Sequence, residues 1–138
     1  MEQALILRVD PRLPRVWGEL VGYLENAIRE SGCHVDWDSD DVRAMAASGQ
    51  VALWALVHEG EYFGACVTQL QYYPKRTVMD VLLVGADPHT EELWFECLAT
   101  LKAIAKSVGC TGMTGTGRPG WFRKLGAERK RIIIDMDV

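Results

Sequence analysis

Residues 114–127 read TGTGRPGWFRKLGA, and within them Gly115, Gly117 and Gly120 reproduce the spacing G-x-G-x-x-G. Such a phrase cradles a dinucleotide when it follows the first strand of a βαβ unit, opens a long helix and is answered by an acidic residue about 20 positions on. Here it lies close to the end of a 138-residue chain, followed only by WFRKLG and one more apolar run. No second strand and ribose-binding acid can follow at that distance, which argues against a dinucleotide. The structural reading fits better. The three glycines permit positive φ and close backbone approach, and Pro119 fixes φ where a short helix begins. Trp121 and Leu125 lie four apart and share a face that would staple this helix to a sheet. No turn requires a guanidinium, so Arg118, with Trp121 beside it, is the binding candidate of the stretch.

Upstream of this stretch the periodicity alternates between helix and strand. Residues 77–84 (TVMDVLLV) form a strand in which Asp80 is the sole charge, and residues 87–92 (DPHTEE) supply an N-cap candidate in Asp87, a proline suited to the first helical position and two acids for the first turn. A long helix follows, with Trp94, Cys97, Leu98, Leu101, Ile104, Ala105 and Val108 on its buried stripe and Gly109 as its stop. A weak strand at 111–116 comes next, then one helical turn at 121–125 and a final strand at 131–138. Before residue 77, VALWALVH and YFGACVTQLQYY flank the turn Glu59-Gly60-Glu61 as an antiparallel hairpin. Earlier still, a strand at 5–9 precedes an amphipathic helix that starts near Pro14 and stops at Ser31-Gly32, in which Gly18 and Gly22 allow close packing on a neighbour. Asp38 and Ser39 then cap a short Ala-rich helix stopped by Gly49. The order is β-α-α-β-β-β-α-β-α-β, a mixed α/β (α+β) sheet with a βαβ crossover between 77–84 and 111–116.

Composition narrows the function. A chain that is 49% hydrophobic and 25% charged fits one globular domain over residues 1–138. The net charge of -4 argues against a nucleic-acid partner, although Arg118, Arg123, Lys124, Arg129, Lys130 and Arg131 crowd the C-terminal end. Cys33, Cys66, Cys97 and Cys110 form no C-x-x-C and read as buried free thiols of a reducing cytoplasm. The start has neither the basic region nor the apolar length of a signal peptide, and no run approaches a membrane span.

The order of elements together with FRKLGA resembles the GCN5-related N-acetyltransferases (GNAT), whose last third often reads "YeklG" before a closing strand. GRPGWFRKLGA is most similar to the small GNAT-like proteins of phages and prophages, which implies a location in the bacterial host cytoplasm or in a virion. The resemblance implies acetyl-CoA as cofactor, its pyrophosphate bound where a strand hands over to the long helix. In this sequence that segment is Val84, Gly85, Ala86, His89 and Thr90. It departs from the family's R/Q-x-x-G-x-G/A phrase, and Asp87, Glu91 and Glu92 stand where phosphates would go. At the position of the family's acidic tyrosine stands Phe122, which has no proton to give. The resemblance also places a carboxylate base at Asp80, which otherwise reads as a charge on a solvated strand face. Tyr72 and Tyr73 end the hairpin, and Tyr73 is the candidate acid. His34, His58 and His89 have no catalytic partner at a recognisable spacing, and no metal-ligand set is recognisable.

Two functions follow. In one, the acetyl-CoA site is degenerate, no cofactor is held, and the protein has a structural, virion or binding role, with Trp37, Trp54, Trp94 and Trp121 as packing and interface anchors. Its partner is then a phage or host protein, or a second copy in a homodimer. In the other, the chain is an acyl-CoA-dependent N-acetyltransferase acting on an amine.

Overall fold

The computed structural model describes residues 2–32, 36–115, 124–126, 128 and 136–137. The chain opens on β1 (Leu5–Arg8), and Pro14, at the first helical position where no amide donor is needed, starts α1 (Pro14–Ser31). Gly32, at φ +80°, ends it in the left-handed conformation that a side chain resists. Asp38 and Asp41 then form a reciprocal capping box, each side chain accepting from the other's backbone amide at 2.9 and 3.0 Å, and this starts α2 (Ser39–Ala47).

Three antiparallel strands follow. The hairpin between β2 (Ala52–His58) and β3 (Glu61–Tyr73) turns on two residues, Glu59 at φ +52° and Gly60 at φ +79°, and Glu61 pairs with His58 as the first residue of β3. Two successive positive φ values are the pattern of a type I′ turn, whose twist matches that of the strands. β4 (Arg76–Ala86) runs two residues further than the sequence pattern indicates, because Gly85 and Ala86 still pair with Ala65 and Gly64. The chain crosses through α3 (Glu91–Ser107) to β5 (Gly112–Gly115), which pairs parallel to β4. The sheet order is β1-β2-β3-β4-β5.

Successive residues of a strand face opposite sides, so β2 can feed two cores only if it is apolar throughout. Its Leu53 and Ala55 face α1 and α2, together with Leu20, Leu24, Val67 and Leu83, whereas Trp54 and Leu56 face α3 with Cys66, Met79, Cys97 and Leu101. Each fully buried leucine contributes about 1.5–3 kcal/mol relative to exposure. Cys66, Cys97 and Cys110 are buried free thiols, as the sequence suggests; Cys33 lies outside the described residues. Burial pushes the Cys97 thiol up to about 11 and Cys66 higher still, so neither is a nucleophile at neutral pH.

Two expectations change. Gly18 and Gly22 do not pack closely on a neighbour, since a β-carbon at either would meet nothing within 4 Å. Asp87 and Pro88 do not start the long helix: Thr90 takes the N-cap position, Glu91 is the first helical residue, and Pro88 with His89 at φ +64° forms a turn instead. Proline followed by a positive φ is the signature of a type II turn, and extension of β4 to Ala86 leaves Asp87 occupied in the sheet, its amide donating to Phe63 O at 2.8 Å. Arg118, Trp121 and Phe122 lie outside the described residues, as do the start of the expected helical turn and all of the expected final strand at 131–138 except Met136 and Asp137, which are not in a strand; Lys124 and Leu125 are helical, with Gly126 after them at φ +63°.

Candidate functional site

The site is set by the stretch of β4 that carries its bulge and leads into α3. Parallel pairing is described from Val78 opposite Gly112 to Val81 opposite Gly115, where the described part of β5 ends. At that point β4 carries a bulge. Thr68 of β3 pairs with Val81 and Val67 with Leu83, so Leu82 is an extra residue. A bulge bends its strand and re-aims the side chains beyond it, which is why bulges recur beside active sites.

Asp80 stands two residues before the bulge. It is half-buried, on the side of the sheet away from Met79 and Val81, with the partly exposed Gln69 and Thr114 beside it. Thr114, its partner in the β4–β5 register, donates from Oγ1 to Asp80 Oδ1 at 3.0 Å. Nothing local to Thr114 singles it out in the sequence, because only the crossover brings it beside Asp80.

Tyr73 is elsewhere. Asp80 lies opposite Gln69, and Tyr73 is four residues further along β3, roughly 13 Å away at strand spacing, where its side chain is exposed. The structure therefore does not bring the candidate base and acid together. His58 is also distant from Asp80, at the β2–β3 turn, with its Nε2 3.1 Å from Glu2 O.

The five residues named for the cofactor follow one another into α3 but differ in what they offer. Val84 packs towards the α3 core, and the space where a Gly85 β-carbon would sit is filled by the Tyr23 carbonyl oxygen at 2.1 Å. Both are thus left with backbone groups only. Ala86 and His89 are exposed, and Thr90 donates from Oγ1 to Asp87 O at 2.6 Å and so leaves the start of α3 without a side-chain cap. An uncapped helix start is a ready place for an anion.

The acids around that helix start are partly engaged. Glu91 is ion-paired with Lys124, whose ammonium also lies over the Phe95 ring at 5.9 Å. The Lys124 side chain is held protonated above its ordinary range, chiefly by the hydrogen bond to Glu91. Asp87 interacts with the hydroxyl of Tyr23, which is pushed up first by burial and then by that hydrogen bond. Pro88, being outside the helix, removes no amide from its first turn. Among the described residues no group of three or more His, Cys, Asp or Glu could hold a metal, and no helix is long and apolar enough to cross a membrane.

A mixed sheet between two helices on one face and a crossover helix on the other, with a bulge in its fourth strand, is the fold of the GNAT acetyltransferases. Solved structures of such enzymes share it. An aminoglycoside acetyltransferase from an uncultured soil metagenomic sample superposes with a TM-score of 0.70 at 14% identity, covering 99% of each chain. Aminoglycoside N-acetyltransferase AAC(6')-Iy in complex with CoA gives 0.71 at 13% identity, over 99% of this chain and 96% of that one. An acetyltransferase of Trypanosoma brucei gives 0.67 at 18% identity, over 99% and 100%. No protein-family model and no curated protein sequence matches the chain.

Proposed function

We propose that the chain is an acyl-CoA-dependent N-acyltransferase in which Asp80 receives the proton of an amine. The observation that carries this reading is the placement of a half-buried, hydrogen-bonded carboxylate two residues before the bulge of β4. An acyl-CoA would be held by β4 beyond its bulge and by the uncapped start of α3, where its phosphates would meet free backbone amides. Amine nitrogen attacks the thioester carbonyl; the C–N bond forms, the C–S bond breaks, the amine proton passes to Asp80, and the departing thiolate takes a proton from water. That one of the similar structures holds CoA and that two are aminoglycoside acetyltransferases supports the cofactor and an amine acceptor.

A second reading is favoured by the separation of Asp80 from Tyr73 and by Glu92, which leaves an exposed carboxylate in the first turn of α3. In it the acetyl-CoA site is degenerate and the protein, of phage or prophage type, serves as a virion or binding component that meets a phage or host partner.

Thermal unfolding with acetyl-CoA, desulfo-CoA and a nucleotide separates the two. Saturation at about 100 times the dissociation constant adds about 2.7 kcal/mol. A saturable shift with both CoA forms, followed by thiol release when kanamycin, spermidine or a lysine peptide is added, is the result expected of the enzyme. No shift at millimolar acetyl-CoA removes the acyltransferase reading and leaves the binding protein.

A further inference from the structure

We propose that Thr114 is a positioning residue for Asp80, an inference that rests on the acyltransferase reading. Its hydroxyl donates to Oδ1 at 3.0 Å, and among the described residues Oδ2 has no donor. One carboxylate oxygen is thereby committed to the protein, which on this assignment leaves the other for the amine. The constraint is strong because both ends are fixed. Asp80 and Thr114 are register partners in the parallel ladder, and the β-branched side chain of Thr114 has few χ1 states.

The neighbours of Thr114 sharpen the assignment. Gly112 precedes it by two residues on the same face, and a β-carbon there would meet Arg76 Nη1 at 3.3 Å; Gly115 follows, where a β-carbon would meet Val81 O at 3.3 Å. In Gly112–Gly115, Thr114 is thus the one residue whose side chain reaches a carboxylate by hydrogen bond. A hydroxyl is not needed to hold the strand, since valine has the same shape and the ladder bonds are backbone bonds. Its chemical use is the aim of Asp80.

Three proteins, the parent and two variants, test this in the acetyl-CoA thiol-release assay with an amine from the panel above. Thr114→Val should lower kcat roughly ten- to a hundredfold with little change in KM for acetyl-CoA, as expected when a base is no longer held in line with the proton it takes. Thr114→Ser should restore most of the rate, and the unfolding temperature of Thr114→Val should stay near that of the parent. An unchanged kcat in Thr114→Val overturns the assignment while leaving the acyltransferase reading intact. A parent protein with no turnover on any acceptor removes both. Equal loss in Thr114→Val and Thr114→Ser, accompanied by lower stability, shows a merely structural threonine and also overturns it.

Discussion

The carbonyl oxygen of Tyr23 occupies the position where a β-carbon on Gly85 would stand, 2.1 Å from it, so helix α1 rests backbone to backbone on the end of β4. The consequence is a position that admits glycine alone. Gly85→Ala forces two main chains apart and should cost about 1–3 kcal/mol, as overpacking does. Because the obstructing atom is a main-chain oxygen, trimming the Tyr23 side chain cannot relieve it. Urea unfolding of Gly85→Ala with and without Tyr23→Ala should show no rescue.

Gly18 and Gly22 present the opposite case. Both are in the interior of α1, and a β-carbon at either meets open space. Alanine lowers the entropy of the unfolded chain and adds no clash, so each substitution should stabilise by about 0.5–1 kcal/mol. A rise of a few degrees in the unfolding temperature for each, additive in the pair, is the expected calorimetric result.

The capping box of α2 makes a third prediction. Asp38 is exposed, so Asp38→Ala removes the side-chain acceptor for the Asp41 amide while leaving the core packing intact, and should cost about 1 kcal/mol. Asp38→Asn should retain most of that stability, which chemical denaturation of the three proteins can measure.

Tyr23 predicts an alkaline limit. Burial and the hydrogen bond to Asp87 raise its ionisation above the ordinary value of 10.0, so the folded state holds the phenolic proton more tightly than the unfolded state. That contribution is fully present below the unfolded value and is lost as pH rises through the folded one. Comparing Tyr23→Phe with the parent by urea midpoint between pH 8 and 11 should show a smaller decline for the variant above pH 10.

At the acid end the sign reverses for Asp10. Its carboxyl is held below the ordinary range by hydrogen bonds from the Arg12 side chain and amide, which meet it at 3.0 and 2.9 Å. The support it gives the β1–α1 turn is present above the unfolded carboxylate range and fades as pH falls through the folded value. Asp10→Asn should therefore flatten the acid side of the stability profile while changing nothing near neutrality except the small contribution of an exposed pair.

The order of strands and helices through β5 was legible in the sequence because it rests on local chemistry, and the GNAT fold followed from the resemblance of that order and of FRKLGA to the family. Apolar residues at period two or near 3.6, proline at a helix start, glycine past a helix end and Asp38 as a cap each act within a few residues of their own position. Asp80 was legible for a similar reason, as the sole charge within an apolar strand. What surrounds it was not. The partnership with Thr114 spans 34 residues and arises only when the α3 crossover lays β5 beside β4; the start of α3 moved to Glu91 because β3 claimed Gly85, Ala86 and the Asp87 amide, a tertiary competition that outweighed a good local capping signal. The sequence alone determined the elements, through short-range preferences, and marked Asp80 as a charge in an apolar strand, whereas the tertiary structure decided which groups meet it, because hydrogen bonds between distant residues form only after packing has set their distance.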